Sequence, residues 1–135
     1  MKCHRLYGEG GKIGPDITGS NRANLDYILH NVLDPSAAIS KDYQMSTVIT
    51  VNGRVATGIV QERNASRVVV QTANEKLTIA AEDVDEITLS SVSMMPEGQL
   101  DKMTGEEIRD LVMYLRTKTQ VDYPDGFKSN ESPEK

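Results

Sequence analysis

Thr47-Val48-Ile49-Thr50-Val51-Asn52-Gly53-Arg54-Val55-Ala56-Thr57-Gly58-Ile59 is the stretch on which the fold turns. β-Branched residues crowd both flanks of Asn52-Gly53, the dipeptide preferred in two-residue hairpin loops because both positions can take positive φ. The same character continues downstream through Val68, Val70, Leu77, Ile79, Ile87 and Leu89. Turn signals interrupt it at Arg63-Asn64-Ala65-Ser66 and at Ala73-Asn74-Glu75. Strands are therefore predicted near 44–51, 54–62, 67–72, 76–80 and 85–90. Five short strands with tight turns point to a small, strongly bent antiparallel barrel.

Helical patterning flanks this segment. Residues 1–19 form a glycine-rich loop with Pro15, after which Ser20 or Asn21 can cap a helix running to about Leu33. Leu25, Ile28, Leu29, Val32 and Leu33 recur there at helical spacing, and Asp34-Pro35 stops the run. A short helical turn is expected over Ser36–Ile39. Beyond Met95-Pro96, Thr104-Gly105-Glu106-Glu107 fits a capping box, and Ile108, Leu111, Val112 and Leu115 form one apolar stripe. That predicts a helix from about 105 to 118. Residues 121–135 read as a disordered polar tail. The expected architecture is α+β: a helical domain made of 1–41 and 91–120, interrupted by an inserted five-stranded antiparallel β-barrel of Sm or SH3 type over 42–90.

Composition narrows the function. With 15 Lys and Arg against 20 Asp and Glu, the net charge of the 135 residues is -5. Nucleic acid and anionic membrane surfaces both favour a basic face, so both are expected to be excluded. No apolar run is long enough to span a bilayer as a helix, and no signal peptide is visible. Aromatic residues are only 4%, with no Trp, which is permissive of a bound macrocycle filling the centre. Cys3 is the one cysteine, so no intrachain disulfide forms.

Three groups of residues carry possible chemistry. Cys3-His4 matches the last two positions of C-x-x-C-H, in which two thiols attach haem and the histidine binds iron. The first cysteine would fall one place before Met1. Gly14-Pro15-Asp16-Ile17 closes the glycine-rich loop, and Ser93-Met94-Met95-Pro96 offers a soft thioether ligand. Taken singly, these read as a terminal cysteine, a flexible loop and a methionine pair filling core gaps. His30 reads as a surface residue and the acidic run Glu82–Glu86 as a solvated turn. No serine or second cysteine is paired with a base, so nucleophilic catalysis has no support.

In this order, with Leu33-Asp34-Pro35-Ser36-Ala37-Ala38-Ile39 between them, the motifs resemble the haem-binding domain of planctomycetes and related bacteria. That is a c-type cytochrome family, and the resemblance covers residues 3–118. It implies haem c attached through Cys3 alone, the first attachment cysteine and the family's first helix being absent. His4 and Met95 would hold the iron, with Met94 the next choice, and the Pro15 carbonyl would orient the His4 ring. Gly14, Pro15 and Ile17 would line the cofactor. The implied role is electron transfer without catalysis, as the C-terminal part of a larger dehydrogenase-like protein in the periplasm or secreted. The implied partner is a redox protein or dehydrogenase domain. The alternative is a non-haem protein-interaction or structural module built on the barrel.

Overall fold

A computed structural model of the chain describes residues 2–122. The expected tail over 121–135 lies, from residue 123 on, outside the described residues. Five strands form one antiparallel sheet: β3 (Met45–Thr50), β4 (Val55–Arg63), β5 (Arg67–Gln71), β6 (Lys76–Ala80) and β7 (Val84–Leu89). Their order is β6-β5-β4-β3-β7, the last strand returning to pair with the first through the 3-10 turn Ala81–Asp83. Side chains alternate between faces. One face buries Val48, Val68 and Val70, with Val60, Ile79, Val84 and Ile87 packed against them.

The β3–β4 loop differs from the expected two-residue turn. Only Gly53 has positive φ, at 80°, and its amide donates to the Thr50 carbonyl at 2.8 Å. The Arg54 amide donates to the Thr50 hydroxyl at 3.0 Å. This is a tight turn followed by a left-handed glycine, the longer of the common hairpin loops. Both φ values are positive at Tyr7-Gly8 instead, 53° and 86°. There they join β1 (Arg5–Leu6) to β2 (Glu9–Gly10), a hairpin inside the segment read as loop.

The expected fold class needs correction on two counts. The sheet is open, not a closed barrel. Closure needs a ladder between the outermost strands, yet among the described residues β6 pairs only with β5 and β7 only with β3. Irregularities at Val60/Glu62 and Ile49/Thr50 bend the sheet without joining its edges. Helical content is also too small for a cytochrome c-like domain: among the described residues there are two α-helices, α1 (Leu25–Leu33) and α2 (Gly105–Leu115). The segment Ser36–Ile39 forms turns and bends, with a 3-10 turn following at Lys41–Tyr43.

Helix ends follow local hydrogen bonding. α1 starts later than expected because the Ser20 hydroxyl is engaged by the Ile17 carbonyl at 2.8 Å. Asn24 caps instead, accepting from the Tyr27 amide. α2 starts as expected, with Thr104 and Glu107 satisfying one another's amides. Thr104→Ala should cost about 1 kcal/mol in denaturant unfolding. Hydrogen bonds from Thr104 hold the Glu107 carboxyl below its ordinary value of 4.5. A depressed carboxyl contributes stability that is present above its unfolded value and is lost as pH falls through the folded one. Helix signal should therefore drop on acidification below about pH 4.5, and Glu107→Gln should remove that step in a circular dichroism titration.

Candidate functional site

Residues 3–18 fold back on themselves. The Gly14 amide donates to the Cys3 carbonyl at 2.8 Å, and the Ile17 amide donates to the Arg5 carbonyl at 2.9 Å. His4 Nδ1 lies 2.9 Å from the Pro15 carbonyl oxygen. A carbonyl can only accept, so the neutral ring carries its proton on Nδ1 and its lone pair on Nε2. Gly14 makes room for this: a Cβ there would sit 2.9 Å from His4 Cε1. Thr18 closes the loop by donating its amide to Asp16 Oδ1 at 2.9 Å. The Thr18 hydrogen bonds, with a smaller effect of the Arg5 charge, hold the Asp16 carboxyl below its ordinary value. Cys3, His4, Gly14, Pro15 and Ile17 thus come together in one loop.

Met94 and Met95 are half-buried in the turn after β7. The Met95 amide donates to the Ser93 hydroxyl and the Ser93 amide to the Ser36 hydroxyl, both at 3.1 Å. This turn is fastened to the segment after α1. Among the described residues, no hydrogen bond joins it to the loop holding His4. His30 is exposed on α1.

A second arrangement lies along β7. The Ser90 amide donates to the Met45 carbonyl at 2.9 Å, which makes Met45 and Ser90 a hydrogen-bonded pair. Alternation along an antiparallel ladder then puts Ile87 and Leu89, opposite Val48 and Ser46, in the non-bonded positions. Their N–H and C=O groups face the outer side of the strand, where no strand pairs among the described residues. A cleft of about 220 Å³ opens beside this edge, lined by Arg63, Asn64, Val68, Val84, Asp85 and Ile87. Leu89 is 68% exposed and Val92 58%. Glu82, Asp83, Asp85 and Glu86 are exposed on the strand and the turn before it.

No family model matches the chain, and no curated protein does. Among solved structures it is similar to the pleiotropic translational regulator Hfq, at 18% identity and a TM-score of 0.34. The match covers 53% of this chain and 97% of that one. A likeness at that level carries no argument about activity.

The cytochrome expectation is corrected. Cys3 is the single, exposed thiol, so C-x-x-C-H and its two thioether bonds are not available in this chain. Among the described residues, no group of three or more His, Cys, Asp or Glu is placed to hold a metal ion. Haem c through Cys3, iron between His4 and Met95, and the electron-transfer role built on them are withdrawn. The expected partners go with them. The redox partner belonged to the cytochrome reading; the exclusion of nucleic acid rested on the net charge of -5 alone and is not maintained. The β7 edge was missed because the acidic run looked like a solvated turn. The alternation of Val84, Ile87 and Leu89 around it was the available signal.

Proposed function

We propose that the chain is a non-haem protein-interaction module that binds without catalysis, taking an extended partner segment along β7. The observation that carries this is the outer edge of β7, where the main-chain groups of Ile87 and Leu89 face away from β3 beside a small cleft. Strand addition draws affinity from such main-chain bonds and specificity from alternate side chains. Here one set of partner side chains meets the partly exposed Val84 and Ile87, and the neighbouring charges are Glu82, Asp83, Asp85 and Glu86. The partner segment is accordingly apolar alternating with Lys or Arg. The order of motifs from Cys3 to Gly98 supports kinship with the planctomycete domains, and a secreted or periplasmic setting belongs to that kinship.

The test is a synthetic peptide of alternating Val and Lys, roughly eight residues long. It should bind saturably, weaken with salt, and slow hydrogen exchange at the Ile87 and Leu89 amides. Leu89→Pro removes an outward amide that β3 does not use, and proline is tolerated on edge strands. That variant should keep its unfolding midpoint within about 1 kcal/mol and bind roughly tenfold more weakly. A peptide that protects no β7 amide, or that binds Leu89→Pro equally well, refutes the proposal.

A further inference from the structure

A larger concavity, about 460 Å³, lies between the glycine-rich loop, the 3-10 turn Lys41–Tyr43 and β4. Its apolar lining comes from Ile59, which is buried, and from the half-buried Ile13 and Val60. Lys12 and Lys41, both exposed, line it together with Tyr43, Gln61 and Asp42. It is an open groove whose exposed lining is mainly polar.

We infer that this cleft binds a small organic anion, with its apolar body on Ile13, Ile59 and Val60 and its charged group between Lys12 and Lys41. Charge and hydrogen bonding point the same way. The chain as a whole is acidic, at -5, so two lysines lining one cleft reverse the local sign. Among the described residues the only ion pair is Arg67 with Glu62, so neither ammonium is neutralised by a carboxylate within bonding distance. The Tyr43 hydroxyl and the Gln61 amide likewise have no hydrogen-bond partner among the described residues. Solvent-facing donors not engaged by other protein groups, set beside apolar side chains, are the combination that orients an amphiphilic anion. Asp42 offsets one of the two positive charges, which favours a singly or doubly charged group over a polyanion. This site involves neither β7 nor its partner.

Phenyl phosphate is the probe, with inorganic phosphate and benzyl alcohol as its charged and apolar halves. Amide shifts of residues 41–43 and 59–61 should saturate with phenyl phosphate. Each half alone should bind about tenfold more weakly or worse. The double variant Lys12→Gln/Lys41→Gln should lose about tenfold in affinity with an unchanged melting curve, since neither side chain holds the fold. Lys102→Gln, at an exposed lysine before α2 that does not line the cleft, should bind as the parent does. Absence of saturation overturns the inference. So does inorganic phosphate matching phenyl phosphate, which would mean diffuse ion attraction, or a double variant that binds normally.

Discussion

Gly58→Ala is expected to destabilise the sheet by about 2–4 kcal/mol, a large share of the stability of a domain this size. Gly58 sits in β4 where the strand bends against β5. A Cβ there would fall 2.3 Å from the Gln71 carbonyl oxygen and 2.8 Å from its carbon. Backbone atoms cannot swing aside as a side-chain tip can. The added methyl must part β4 from β5 and disturb the packing of Val68 and Val70. Gly105→Ala is the matched control: nothing lies within 4 Å of its Cβ and its backbone is helical. It should leave stability unchanged or raise it by about 0.5 kcal/mol. Denaturant midpoints for the pair would check both. A Gly58→Ala midpoint equal to the parent's would show that β5 does not press on β4 as described.

Arg22→Ala should cost about 3 kcal/mol and release α2. The Arg22 guanidinium donates from Nε to the Ile17 carbonyl at 2.8 Å and from Nη2 to the Thr18 carbonyl at 2.9 Å. It also donates to the Leu115 carbonyl, to the Thr117 carbonyl at 2.9 Å and to the Tyr7 hydroxyl at 3.0 Å. Its carbon stands 5.0 Å from the centre of the Tyr7 ring, and the Tyr7 hydroxyl donates to the Thr117 carbonyl. One side chain thereby ties the end of α2 to the loop holding His4. Arg22→Lys should restore little, because a single ammonium cannot reproduce a planar fork with five donors. Hydrogen exchange should quicken through α2 while β3 to β5 keep their protection. Uniform loss of protection would mean that Arg22 supports the whole fold and not this latch.

Much of the β segment was legible from composition and spacing. The five strands lie within a residue or two of the spans read from Val48 to Leu89. Period-two patterning and turn residues act locally, and the buried face of Val48, Val68 and Val70 follows from them. The Thr104–Glu107 cap was legible for the same reason: both partners lie within one turn of the helix. The Tyr7-Gly8 hairpin was not. Tyrosine seldom takes positive φ, and what accompanies it there is the Thr18 hydroxyl, which accepts the Tyr7 amide at 2.8 Å from eleven residues away.

The candidate site divides along the same line. The contact between His4 and Pro15 agrees with what the resemblance implied, because it forms within a short loop shaped by Gly14. The haem expected beside it rested on a two-thiol attachment motif of which this sequence holds only Cys3-His4.

By itself, then, the sequence determined the five strands of the main sheet, the α2 cap and the acidic balance, all of which depend on neighbours within a few residues. Only the tertiary structure decided that the sheet stays open at β6 and β7 among the described residues, that Arg22 latches α2, and that Lys12 and Lys41 line one groove with Ile59. Those outcomes depend on which distant segments approach, and local propensity holds no record of that.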